Sequence, residues 1–193
     1  MKVSTMLAAG AGLALAGSAF GSASLVGDTI QRVQYAQSSG EIVTVDFAVV
    51  SDPGYEYIDS HPFAGGEWRK FNIGPTSIHM ENLITWFSPW FDTGNLPTYV
   101  EFRDLDFNEP GLFIAGVTVT WGGTIFAEDD APLNYPAFGA QAVIFNADTV
   151  RLYTGPYQFE AGSWVQIDLI VAPAPSVALL GGLGALVATR RRR

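Results

Sequence analysis

The stretch "DLDFNEPG", Asp104 to Gly111, sets Asp104, Asp106 and Asn108 two residues apart, so that side-chain oxygens recur as they do in calcium-binding loops. The pattern stops short of an EF-hand. Counted from Asp104, the sixth position holds Glu109 where such a loop needs glycine, and no acid follows at the twelfth. Glu109 itself, or the run Glu128-Asp129-Asp130, would have to complete a site. Alternation along a strand puts Asp104 and Asp106 on one solvent-facing side, where carboxylates need no ligand. Calcium is thus a weak candidate cofactor, and no other is indicated.

A second group is aromatic: Trp86, Phe87, Trp90 and Phe91. Indole faces stack on sugar rings, so Trp86 and Trp90 are the candidate carbohydrate-binding pair, although such a group also serves as packing. Trp68, Trp121 and Trp164 fall in strand-like runs and are expected in the core. A glycosidase needs two carboxylates about 5–9.5 Å apart; Glu101 with Glu81 or Asp104 is the nearest approach. Nineteen acids make some such pair inevitable by chance, so no catalytic residue is assigned. His61 and His79 are the only histidines, and "HME" lacks the spacing and third ligand of a zinc site. No nucleophile elbow or phosphate-binding glycine loop occurs. The absence of cysteine removes disulfides and thiolate chemistry.

The elements that must position these residues read as strands. "EIVTVDFAVV" alternates, and its apolar set Val43, Val45, Phe47 and Val49 is expected to face the core. Leu25 to Tyr35 is a weaker strand before it. Ser77 to Gly94 fits a strand followed by one short helical turn starting at Ser88-Pro89. "LPTYVEFRDLDF" and "GLFIAGVTVTWGG" are clear strands, with Asn108 to Gly111 as the turn between them. "FGAQAVIFNADTVRLYTG" reads as a hairpin turning at Asn146-Ala147-Asp148. In "GSWVQIDLIVA", Trp164, Gln166, Asp168 and Ile170 oppose Val165, Ile167, Leu169 and Val171. Eight or nine such strands predict an all-β fold, an antiparallel β-sandwich or jelly roll.

Composition agrees. With 48% hydrophobic and 15% charged residues, a chain of 193 residues can bury one domain core. The net charge of −9 is unevenly spread: Lys2 and four terminal arginines leave only Arg32, Arg69, Lys70, Arg103 and Arg151 to face every acid in residues 24–172. So acidic a body repels phosphate backbones, and nucleic acid is excluded as a partner.

Both ends look like addresses. Lys2, the apolar run from Leu7 to Phe20 and the small residues Gly21-Ser22-Ala23 make residues 1–23 a secretory signal peptide, expected to be helical, with cleavage between Ala23 and Ser24 by signal peptidase after export. At the other end "PAPSVALLGGLGALVATRRRR" joins an uncharged stretch, Val177 to Thr189, to Arg190, Arg191, Arg192 and Arg193. That stretch is predicted to be a short transmembrane helix, and the arginines should stay cytoplasmic, leaving the body outside.

The tail, residues 173–193, resembles the PEP-CTERM sorting signal of certain bacteria. Pro173, Pro175 and Ser176 match its signature, Val177 to Thr189 its span and the arginines its basic end; Ala174 stands where the family usually has glutamate. The resemblance implies processing by an exosortase-type membrane enzyme and says nothing of residues 24–172. The sequence as a whole predicts a non-catalytic exported protein, held in the membrane by its C-terminus before processing and then at the cell surface or in the extracellular matrix. Its role would be structural or adhesive, with exopolysaccharide as partner. The alternatives are a carbohydrate-binding module and a glycan-active enzyme.

Overall fold

The computed structural model describes residues 2–7, 23–36, 42–60, 66–85, 97–127, 137–155 and 157–174. It is all-β and antiparallel. The strands are β1 (Lys2–Leu7), β2 (Thr29–Ala36), β3 (Ile42–Val49), β4 (Tyr57–Ser60), β5 (Glu67–Gly74), β6 (Ser77–Asn82), β7 (Pro97–Arg103), β8 (Leu112–Gly122), β9 (Ile125–Ala127), β10 (Val143–Phe145), β11 (Val150–Tyr153), β12 (Tyr157–Phe159) and β13 (Trp164–Pro173). A six-stranded sheet runs β1-β8-β13-β6-β5-β4, a five-stranded sheet runs β10-β11-β7-β2-β3, and β12 pairs with β9.

The long strands follow their side-chain period. On β13, Val165, Ile167 and Leu169 are buried while Asp168 and Ile170 are exposed. On β6, Ile78 and Met80 point in, leaving Ser77, His79 and Glu81 on the other side. The hairpin β10–β11 turns as expected: Asn146 Oδ1 accepts from Asp148 N at 3.0 Å, and Asn146 N donates to Thr149 O at 2.9 Å. The turn at Asn108 to Gly111 passes from β7 in one sheet to β8 in the other.

Both large sheets feed one hydrophobic cluster. Ile30, Val100, Phe102, Val150 and Leu152 come from the five-stranded sheet, and Phe71, Ile73, Val117, Val119 and Ile167 from the six-stranded one. Phe71 meets Phe102 edge-on at 5.3 Å between centroids, and the Tyr57 hydroxyl on β4 donates to Ile30 O on β2 at 2.7 Å.

Three expectations change. Lys2–Leu7 is extended, not helical, and pairs with β8 from Lys2↔Trp121 to Leu7↔Gly116. A sheet edge offers these residues the backbone hydrogen bonds that a short helix in water would have to nucleate alone. Second, Val43, Val45, Phe47 and Val49 are the exposed side of β3, with Phe47 65% accessible. Asp46 decides the facing: β3 pairs with β2 at Asp46↔Arg32, and the ion pair formed there turns Thr44, Asp46 and Ala48 inward. Third, Trp164 is only partly buried, on the outer side of β13, whereas Trp68 is buried and Trp121 packs on the core. The Trp164 indole lies on Gly122, its pairing partner on β8, and a Cβ there would stand 2.6 Å from the ring. The short helical turn beginning at Ser88, the run Glu128-Asp129-Asp130 and the tail from Pro175 lie outside the described residues. Among the described residues no helix is long and apolar enough to cross a membrane.

Candidate functional site: an aromatic and charged sheet face

Nearly all the body's few cations serve to grip two carboxylates. The first grip is internal. Asp59 on β4 takes Arg32 Nη1 at 2.5 Å on Oδ1 and Arg69 at 2.8 and 2.7 Å on Oδ2; Gln34 Nε2 adds a contact of 2.9 Å to Oδ1. Arg32 also reaches Asp46 at 2.5 Å. The guanidiniums lie over aromatic rings, Arg32 above Tyr57 at 4.6 Å and Arg69 above Trp68 at 4.3 Å. Burial works to raise the Asp59 pKa, but Arg69 and then Arg32 outweigh it and hold the carboxyl below its ordinary range. Burial also pulls the Arg69 pKa down; guanidinium starts so high that the residue stays charged. Arg32, Gln34, Asp59 and Arg69 are all buried, so the cluster ties β2 to β4 and β5 and presents nothing to a ligand.

The second grip faces outward. Arg103 Nε binds Glu101 Oε1, and Arg151 Nε binds Oε2 at 2.7 Å. Arg103 Nη2 donates to the Tyr35 hydroxyl. Pairing sets Tyr35 opposite Tyr99 and Tyr99 opposite Tyr153, so three tyrosines cross β2, β7 and β11 in a row. Their rings succeed one another at centroid distances of 4.4 Å, stacked, and 5.4 Å, tilted. Arg151 lies over Tyr99 at 4.4 Å. Val100, Phe102, Val150 and Leu152 point into the core from the same strands, so the tyrosines and the clamp occupy the opposite face. Glu101 is buried beneath its arginines and Tyr35 is buried at 9% accessibility, while Tyr99, Tyr153, Arg103 and Arg151 are half-buried. Burial raises the Tyr99 pKa, and the bond to Glu101 raises that of Arg103. Burial alone would lower the Arg151 pKa; bonds to Tyr153 and Glu101 reverse this. The result is a fixed row in which Tyr99 and Tyr153 offer the accessible rings and Tyr35 backs them, with hydrogen-bond donors at its edge and the exposed apolar residues of β3 alongside.

The sequence candidates fare differently. Asp104 and Asp106 are exposed, as expected, but in the irregular segment after β7, with Asp104 left-handed at φ 57°. Asn108 Oδ1 accepts from Ser24 N at 3.0 Å, and Asn108 N donates to Ser24 O at 2.9 Å, which employs that side chain in anchoring the start of the body. Among the described residues no group of three or more acids or histidines could hold a metal ion. Glu101 has both oxygens taken by guanidinium, and Glu81, on the other sheet, accepts from Tyr55. The two are not brought together as an acid–base pair. His79 stacks near Trp164 at 6.0 Å, with its Nδ1 2.9 Å from Gln166 Oε1. Trp86 and Trp90 lie outside the described residues, as do Pro175, Ser176 and Arg190 to Arg193. Ala23 packs on the core, Pro173 closes β13, and Ala174 N donates to Gly111 O at 2.6 Å.

Sequence reasoning missed the tyrosine row. Its signal was present as Tyr99-x-Glu101-x-Arg103 and Arg151-x-Tyr153, polar and aromatic residues alternating with core residues. No protein family, curated protein or solved structure matches the chain.

Proposed function

We propose that this chain is an exported bacterial surface or matrix protein, without catalysis, whose body adheres to exopolysaccharide through the outer face of the five-stranded sheet. The observation that carries the reading is the in-register row Tyr35, Tyr99 and Tyr153 beside the Glu101–Arg103–Arg151 clamp. Tyrosine rings present flat apolar area with little conformational entropy to lose, and the C–H faces of pyranose rings fit such surfaces. The guanidinium edges supply donors to hydroxyl groups. With Glu101 neutralising one of the two arginines, and an acidic body around them, the face favours neutral glycans over polyanionic ones. The architecture is read as a β-sandwich, because Phe71–Phe102 and Tyr57–Ile30 join the two sheets.

Export and sorting rest on the two ends. The reciprocal bonds of Ser24 with Asn108 and the complete burial of Leu25 support a mature chain starting near Ser24. β1, which precedes that point, is an edge strand, so its removal would leave the remaining pairing of the sheet intact. The tail from Pro173 would then hold the body at the membrane until an exosortase-type enzyme acts.

Retention on immobilised neutral polysaccharides tests the binding claim. Tyr99→Ala should weaken retention about tenfold or more, the equivalent of ~1.4 kcal/mol. Retention that survives this change but is lost in Trp90→Ala would transfer the site to the tryptophan pair and overturn the tyrosine row. Mass spectrometry of the native protein tests the ends: termini near Ser24 and near Pro173 to Ser176 are expected, and an intact Arg193 in the membrane fraction would make the tail a permanent anchor.

A further inference from the structure

At the β10 edge of the five-stranded sheet, where Ile144 stands opposite Arg151, the surface turns apolar. An open groove of about 430 Å³, within the ~300–1,000 Å³ span of ordinary ligand pockets, is lined by Phe113 and Ile114 of β8 and by Val143, Ile144, Phe145 and Asn146 of β10 and its turn. Its floor is core: Ile114 and Val143 are fully or almost fully buried. Its rim is not, with Ile144 52% exposed. β8 and the β10 turn are tied at this point by Ile114 N donating to Ala147 O at 2.9 Å. A bare apolar groove costs free energy in water.

We propose that the groove is the docking site of the chain's own uncharged C-terminal segment, residues 177–189, whenever that segment is not in lipid. Position and chemistry both favour this occupant. β13 ends against the strand that lines the groove, with Ala172 opposite Phe113 and Pro173 opposite Leu112, and Ala174 is held to Gly111. The chain therefore leaves the body one strand-width from the groove, and Pro175-Ser176 supplies turn chemistry for a reversal. Residues 177–188 are alanine, leucine, valine and glycine, and Thr189 completes a stretch without a charge, the side chains an apolar groove accepts. Tethering makes this occupant local, at the millimolar effective concentrations of short linkers, so weak apolar contacts suffice. Docking would hide from water the same residues that later enter the bilayer, and a membrane competes for them simply by offering more apolar surface. Docking of this kind does not depend on whether the tail is later cut.

Because the chain has no cysteine, a pair can be introduced cleanly. The full chain carrying Ile144→Cys and Leu180→Cys is synthesised without membranes and mildly oxidised. An intramolecular disulfide is expected at about ten times or more the yield given by Ile58→Cys with Leu180→Cys. Ile58 is a fair control, since it is similarly exposed at 46% but lies on β4, at the far edge of the six-stranded sheet. Asn146→Cys, a second exposed groove position, should link as Ile144→Cys does, which guards against one substitution disturbing the rim. Equal yields at groove and control positions, or a disulfide formed only between two copies, would overturn the proposal. Vesicles of phosphatidylcholine and phosphatidylglycerol added before oxidation should abolish the link. A link that forms and persists with vesicles would uphold docking while counting against the membrane reading of the tail.

Discussion

The two carboxylate clamps share a composition and differ in where they stand. Asp59 between Arg32 and Arg69, and Glu101 between Arg103 and Arg151, are each one acid gripped by two guanidiniums beside aromatic rings. The Asp59 clamp is wholly inside: its arginine side chains are 6% and 4% accessible, against 36% and 33% for those holding Glu101. Taking charges out of water is costly, and the internal clamp returns that cost only while every partner is present. The outer clamp leaves its arginines partly open to solvent, so its charges are screened and their pairing costs less. Four of the body's five cations are spent on these clamps, one dedicated to joining strands and one to shaping a surface.

The sharpest way to break this comparison is Asp59→Asn, which keeps the shape and removes the charge. Arg69 then has no carboxylate partner inside and Arg32 keeps only Asp46, and a loss of about 3–5 kcal/mol in denaturant unfolding is expected. Replacing the whole triad by Arg32→Met, Asp59→Leu and Arg69→Met should cost less than that single change, because the only charge that then loses its partner is Asp46, whose side chain is 38% accessible. The depressed Asp59 pKa also sets a pH dependence. Its contribution is complete above the unfolded value of 3.8 and is lost as pH falls below that through the lower folded value. Asp59→Asn should flatten the acid limb of the stability profile, and an unchanged limb would refute the internal clamp.

Glu101→Gln is the matched change outside. Arg103 and Arg151 reach water, so about 1–2 kcal/mol is expected, well under the Asp59 effect. Glycan retention should fall together with it, since the tyrosine row loses the anchor of its donors. If the two substitutions destabilise equally, the outer clamp is structural and the proposed binding face loses its main support. Tyr57→Phe sharpens the internal side by a smaller step. It removes the buried bond to Ile30 O and should cost about 1 kcal/mol. The Tyr57 pKa is pushed up to about 12, chiefly by burial, so this tyrosine contributes stability below its unfolded value of 10.0 that is lost as pH rises towards about 12. The phenylalanine variant should lack that alkaline loss.

How much of this could be read from the sequence depends on whether a residue's facing is set locally. On β13 every second residue is apolar, and the observed inner set Val165, Ile167 and Leu169 is the one alternation indicates. The β10–β11 turn carries its own asparagine signal. On β3 both alternate sets contain apolar residues, and the choice fell to a partner 14 residues away, the Arg32 that draws Asp46 inward. β4 and β5 escaped notice because Asp59, Arg69 and Lys70 interrupt their apolar pattern, and Asp59 and Arg69 are inside only because they pair with each other. The tyrosine row is a property of register: nothing local in β2, β7 and β11 says that Tyr35, Tyr99 and Tyr153 will stand opposite one another.

The smallest effect tests the facing of β3 directly. Phe47 stands on the same side as the outer clamp, opposite Gln31 and 65% exposed. Phe47→Ser removes a large apolar side chain that gains little from folding, so unfolding free energy should change by no more than about 0.5 kcal/mol. Were Val43, Val45, Phe47 and Val49 the core side of the strand, the same change would open a cavity and cost about 3–5 kcal/mol, as Phe102→Ala should on β7. The two outcomes differ by several kcal/mol, beyond the error of a denaturant titration. Phe47→Ser also bears on the binding face. Weaker glycan retention at unchanged stability would extend that face from the tyrosine row to the edge strand, while unchanged retention would confine it to β2, β7 and β11.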